Sequence, residues 1–220
     1  METFIKSSLF LHALSGAIAL VSGLFAIFSK KGGKIHLKSG LIYYWAMLAV
    51  VVTGLILGTY RSNIFILTIA VFSFYMIFTG RRILGNKKEV RAEFADWAVC
   101  FLCLAIGGYM LYLGISNFFR IGFVGSIPML LVFGTLLSWM CIEDLLLLKR
   151  KNFIKGSYLI KHIGRMGGSY IATSTAFLVV NIDLEPQWIV WLLPTVIGTP
   201  MITIASRNWA TKLGLKPKSN

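Results

Sequence analysis

Acidic side chains are scarce in this chain: eight Asp and Glu stand against 22 Lys and Arg, and all charged residues make up only 14% of 220 positions. A water-soluble domain carries about a quarter of its residues as charges to cover its surface, so a soluble globular fold is excluded. Cysteine is also sparse. Cys100, Cys103 and Cys141 all lie inside apolar runs, which leaves no exposed pairs for a disulfide framework. The Cys100-x-x-Cys103 spacing sits in mid-run and reads as small buried side chains rather than redox or metal chemistry. No phosphate-cradling glycine loop, serine-hydrolase elbow or ATP-binding motif occurs, which excludes ATP hydrolysis by this chain.

What is present is apolar sequence: 57% of residues are hydrophobic and the mean hydropathy is +0.77. A core of this size cannot absorb that excess, because a compact chain still exposes much of its surface. Lipid must cover it. A bilayer core of about 30 Å takes about 20 residues of helix, and seven runs approach that length. They are Leu9–Ser29, Leu41–Tyr60, Ile64–Thr79, Phe94–Gly114, Val124–Leu148, Met166–Val180 and Trp188–Ala205. Lipid cannot hydrogen-bond an irregular backbone, so each run is expected to be helical. The short alternating strands of an outer-membrane barrel are absent. The first run is too long for a signal peptide, and its basic flank (Lys30, Lys31, Lys34) follows it rather than preceding it. The expected fold is all-α: one membrane-embedded domain of seven transmembrane helices.

Orientation follows from the basic residues. Nineteen Lys and Arg fall on one side: Lys30 to Lys38, Arg81 to Arg91, Lys149 to Arg165, and the tail from Arg207 to Lys218. The other side holds Lys6, Arg61 and Arg120, and its loop around Asp183 and Glu185 is acidic. Short cytoplasmic loops collect Lys and Arg, so the N-terminus is expected outside and the C-terminus in the cytoplasm. The same distribution accounts for the net charge of +14 and leaves no basic module for nucleic acid. The lipid bilayer is the expected partner; the oligomeric state is not legible. A weak internal echo relates Trp45-Ala46 and Ser62-Asn63 to Trp97-Ala98 and Ser116-Asn117, as duplicated transporter helices would.

Ionisable residues near membrane depth are costly and therefore candidates for function. His36, before the second helix, Asp96, at the start of the fourth, and His162, at the start of the sixth with Arg165, fall at comparable depth, with Glu143 and Asp144 closing the fifth. Two imidazoles with carboxylates suit a divalent metal, and His36, Asp96, Glu143 and His162 are the expected set. Hydrated interface positions, or an Asp96–arginine pair, are the plainer alternative. A second candidate is a ligand- or ion-binding face on the sixth helix, where His162, Arg165, Ser169, Thr173 and Ala176 recur with helical spacing. The seventh helix contributes Thr195, Thr199 and Thr203 beside Pro194 and Pro200, where freed carbonyls can line a polar cavity. Close helix packing through small residues explains the same pattern. His12 shares a face with Ser15, Gly16, Ala19, Ser22 and Gly23, which fits a buried neutral histidine bonded to a hydroxyl.

The stretches His12-Ala13-Leu14-Ser15-Gly16, Lys34 to Gly40 and His162 to Tyr170, with Thr175-Ala176-Phe177, resemble a bacterial family of polytopic membrane proteins catalogued as a domain of unknown function. The resemblance implies a bacterial inner membrane and singles out His12, His36, His162 and Arg165, but transfers no activity. Rhodopsin-like retinal binding is excluded, since Trp188–Ser206 contains no lysine. Seven-helix zinc hydrolases use a late His-x-x-x-His pair that is missing here, and of b561-type haem sites at most one His36–His162 pair could form. Three functions stay open: binding or translocation of a small molecule or ion, a metal- or haem-dependent membrane enzyme, and a non-catalytic subunit or scaffold. The topology is checked directly by a green fluorescent protein fused after Asn220. Bright cells are expected, whereas a dark fusion with an active periplasmic phosphatase fusion reverses the orientation.

Overall fold

The computed structural model describes residues 1–85, 92–150 and 156–215. Of the nineteen basic residues that set the expected orientation, Lys87, Lys88, Arg91, Lys151, Lys155, Lys216 and Lys218 lie outside the described residues. Among the described residues the structure is all-helical, with seven α-helices: α1 (Glu2–Phe28), α2 (Lys34–Tyr60), α3 (Ile64–Arg82), α4 (Phe94–Ile121), α5 (Ile127–Arg150), α6 (Ser157–Asn181) and α7 (Trp188–Lys212). All but α6 are long and apolar enough to cross a membrane, the signature of a multi-pass membrane protein in a lipid bilayer. At 27 residues, α1 and α2 extend to about 40 Å at 1.5 Å per residue, beyond a hydrocarbon core of about 30 Å.

Burial is inverted relative to a water-soluble protein. Phe28, Phe94, Phe119 and Val180 are 80% or more exposed, while Asp144 and Arg165 are 6% and 4% exposed. Large apolar side chains thus face outward while these two charges face inward, as a hydrocarbon solvent requires. Hydroxyls inside the helices bond the preceding turn of their own helix: Thr53 Oγ1 donates to Ala49 O at 2.6 Å and Thr79 Oγ1 to Tyr75 O at 2.7 Å. Each such bond satisfies a hydroxyl hydrogen that would otherwise face an apolar surrounding.

The chain divides into two compact units, Met1–Phe74 and Tyr75–Asn220, with the boundary inside α3. In the first unit α1 packs on α2, joined by His12 Nδ1 and Thr53 Oγ1 at 2.9 Å. Ala19, Ser22 and Gly23 of the small-residue stripe are buried in it. In the second unit α4 packs on α5 and α6 on α7. The α4–α5 contact is a close approach of backbones: a Cβ on Gly107 would lie 2.6 Å from Ser138 Oγ and 3.1 Å from its backbone nitrogen. The α6–α7 contact is similar, with Ile202 against Gly167 and Ile171 against Gly198. Small residues provide helix adhesion where lipid removes the hydrophobic drive.

Two expectations of local structure change. α2 begins at Lys34 and α6 at Ser157, seven and nine residues before their apolar runs, so His36 lies inside α2 rather than ahead of it, and Lys161 joins His162 and Arg165 in the first turns of α6. The echo between the second and fourth helices does not hold: Ser62-Asn63 is a turn where Asn63 Oδ1 caps α3, whereas Ser116-Asn117 continues α4, with Asn117 bonded to Leu113 O.

The close approach at Gly107 yields a paired test. Gly107→Ala meets backbone as well as the Ser138 hydroxyl and is expected to destabilise the protein by about 1–3 kcal/mol. Gly108→Ala on the same helix meets nothing within 4 Å and is expected to be neutral or stabilising through helix propensity. Thermal unfolding in detergent distinguishes them; equal melting temperatures would remove the argument for tight α4–α5 packing.

Candidate functional site

The polar residues of the second unit gather at one end of its helices: the C-terminal ends of α3 and α5 and the N-terminal ends of α4 and α6. Asp144 is the centre. Its Oδ2 accepts hydrogen bonds from Tyr75 Oη at 2.5 Å and from Arg165 NH2 at 3.1 Å, and its Oδ1 takes the Lys161 ammonium. Three donors thus hold one carboxylate whose residue is 6% exposed. Arg165 extends the cluster, donating also to Met140 O and Glu143 Oε2, both at 3.1 Å. Its guanidinium carbon stands 5.6 Å from the centre of the Tyr75 ring, within cation–π range. Tyr75 is fully buried, with its hydroxyl also near Cys100 Sγ at 3.5 Å.

A second pair lies beside the first. Arg82, the last residue of α3, forms a two-pronged bond to Asp96 through Nε at 2.8 Å and NH2 at 3.0 Å. Asp96 is the third residue of α4 and forms a capping box with Glu93: it accepts the Glu93 backbone N–H at 2.9 Å. Each charge suits its helix end, an anion where the dipole is positive and a cation where it is negative. Between the pairs is a cavity of about 40 Å³ lined on its polar side by Thr79, Arg82, Asp96, Cys100, Asp144 and Lys161. That volume holds roughly two or three waters, or one ion with its water.

Why α6 comes so close to α3 is visible at Gly80. A Cβ there would stand 2.9 Å from Met166 Sδ and 3.0 Å from Arg165 Cβ. Without it, α6 approaches near enough for His162 Nδ1 to reach Gly80 O at 2.7 Å. A carbonyl only accepts, so Nδ1 carries the proton. Gly168 makes a like approach to Met76.

The expected site residues separate. Arg165, Ser169 and Thr173 are buried on one face of α6, with Ser169 Oγ bonded to Met166 O and Thr173 Oγ1 to Ser169 O. Ala176, expected on that face, is exposed, and Thr175 is buried instead. Thr199 is exposed on α7, its carbonyl bonded by Thr203 at 2.9 Å, so it does not join the polar wall; Val190 is the buried residue of that helix. The four expected metal ligands each have another partner. Asp96 binds Arg82, Glu143 takes Arg165 and Lys161, His162 bonds Gly80 O, and His36 Nδ1 bonds Ala26 O at 2.9 Å in the first unit. Among the described residues, no three His, Cys, Asp or Glu side chains are grouped to hold a metal ion. His12, bonded to Thr53, takes the place of a packing histidine.

Tyr75, Arg82 and Lys161 belong to the cluster although the sequence reading did not select them. Arg82 and Lys161 read as loop charges by hydropathy, and Tyr75 is an aromatic residue in an apolar run with no local signal. No protein-family model matches the chain, and no curated protein or solved structure matches it. The resemblance carried by the His12 and His162 stretches therefore assigns no family.

Removing one partner from a buried ion pair leaves an uncompensated charge, so Asp144→Asn is expected to cost about 3–5 kcal/mol. Tyr75→Phe, which deletes one bond to a charged group, should cost about 1.5–3 kcal/mol. Glu2→Gln removes a pair with Lys6 whose side chains are 81% and 74% exposed and should cost well under about 1 kcal/mol. Equilibrium unfolding in mixed detergent–dodecyl sulfate micelles, followed by circular dichroism, gives the order. Equal effects of Asp144→Asn and Glu2→Gln would deny the cluster its structural weight.

Proposed function

We propose that this chain is a seven-span membrane protein, N-terminus outside and C-terminus in the cytoplasm, that binds and passes a small ion through its second unit. The observation that carries the reading is the buried cluster of Asp144, Lys161 and Arg165 beside the Arg82–Asp96 pair, opening on a cavity of ionic size. Charges inside a membrane protein are expensive and mark ion or proton pathways by default. The volume of the cavity favours an ion over an organic substrate. α6, too polar to qualify as a span by its own composition, crosses with its charges turned inward, as a pathway-lining helix does.

The chemistry is partner exchange. An entering cation competes with Lys161 and Arg165 for Asp144; an entering anion competes with Asp144 for the two cations. Either way one ion pair opens as another forms, so the charge in the low-dielectric interior is never left alone. A carboxylate with three donors and a lysine reaching it through a flexible stem supply the movable pair. Ser169 and Thr173 continue the polar face of α6 beyond Arg165.

Flux into proteoliposomes tests this with four probes: H⁺ by pyranine fluorescence, and Na⁺, K⁺ and Cl⁻ by isotope uptake. At least one is expected to move faster than in protein-free vesicles. Asp144→Asn should slow it by about tenfold or more, a loss of at least about 1.4 kcal/mol in transition-state stabilisation. Thr79→Val, which lines the same cavity without carrying charge, keeps the fold and should also slow it. Failure of all four ions to cross, with the protein folded, overturns the proposal and favours the scaffold reading.

A further inference from the structure

A different feature belongs to the first unit. Along the C-terminal half of α1 and the start of α2 runs a groove of about 510 Å³, lined by Val21, Leu24, Phe25, Phe28, Ser29 and Ile35. Five of these side chains are apolar, and all but Ser29 are exposed. Both lips of the groove end at a basic turn: Ser29 is followed by Lys30, and Ile35 is preceded by Lys34.

The turn is held by other residues. Gly33 N–H donates to Lys30 O at 2.9 Å, and Gly32 adopts a φ of +76°, open to glycine. Lys31 Nζ donates to Ala26 O at 2.9 Å and to Ile27 O, and His36 Nδ1 donates to Ala26 O at 2.9 Å. These bonds satisfy carbonyls left over at the end of α1. Lys31 and His36 are thus spent on the turn. Lys30, Lys34 and Lys38 are exposed and, among the described residues, form no ion pair with an acidic side chain. Lys34 and Lys38 stand one helical turn apart on the same side of α2.

We propose that the α1–α2 hairpin binds an acidic phospholipid, an acyl chain lying in the groove and the phosphate resting against Lys30 and Lys34. An apolar groove alone accepts any chain, and a basic turn alone attracts any anion. The two joined end to end select a molecule that is apolar along its length and anionic at its head. Basic residues at the end of a membrane helix attract acidic headgroups, and the turn holds these lysines at the headgroup end of the groove. A free phosphate ion fits less well, because the lysines are open to water and no buried polar group encloses it.

Native mass spectrometry of the full chain in detergent provides the test, with dimyristoyl phosphatidylglycerol and dimyristoyl phosphatidylcholine as probes. The chains are identical, so any preference belongs to the headgroup. The glycerol lipid is expected to be retained about fivefold or more over the choline lipid, a difference well within a single binding site's reach. Lys30→Glu with Lys34→Glu should abolish the preference. Val21→Trp, which fills the groove and leaves every charge in place, should lower retention of both lipids. Arg207→Glu with Lys212→Glu, at the end of α7, should leave binding unchanged. No headgroup preference overturns the proposal, as does an equal loss in the α7 control, which would mean diffuse charge. Unchanged retention in Val21→Trp overturns the groove.

Discussion

The second unit depends on one carboxylate that cannot be left uncompensated. Asp144 is buried among the helices, and its charge is tolerable there only because Tyr75, Lys161 and Arg165 all converge on it. That convergence sets conditions on three helices at once. α3 must bring Tyr75 inward, α5 must turn Asp144 away from lipid, and α6 must come close enough for its two cations to reach across. The absence of a side chain at Gly80 meets the last condition. Electrostatics chooses the partners and small residues permit the distance; neither suffices alone.

The Arg82–Asp96 pair shows a different use of the same groups. It is more exposed, lies at helix ends, and draws support from the capping box of α4 and from favourable helix dipoles. Such a pair can open at modest cost. Asp144, with three donors at depth, can release one partner only as another charge takes its place. A tightly held centre thus stands beside a looser pair, with a water-sized cavity between them.

Hydropathy made the helices legible because a bilayer demands length and apolarity together, and six of the helices meet both. It misplaced the beginnings of α2 and α6, since charged turns at a helix end read as loop when only apolar runs are counted. Lys161 was hidden for that reason, and Arg82 was counted with the loops beside it. Arg165, Ser169 and Thr173 were legible from their spacing, because a polar stripe on a membrane helix must turn inward. Thr199 has the same chemistry on α7 but faces outward, bonded through its carbonyl to the hydroxyl of Thr203; composition does not distinguish the two. Asp96 admitted either a metal or an arginine partner, and no local pattern selects Arg82, 14 positions away, as that partner. Tyr75 carried no signal at all, since its importance lies in a residue 69 positions away.

The low apolarity of α6 has a consequence for how the protein is made. A helix carrying Lys161, His162 and Arg165 is a poor client for a translocon that sorts segments one at a time by hydrophobicity. Asp144 and Tyr75 precede it in the chain, so during synthesis their helices are in place before α6 emerges. On the seven-span reading proposed above, the lateral entry of α6 is driven by its neighbours rather than by lipid. Topogenesis at this step becomes a folding reaction, with the ion pair serving as the receptor for the helix that completes it.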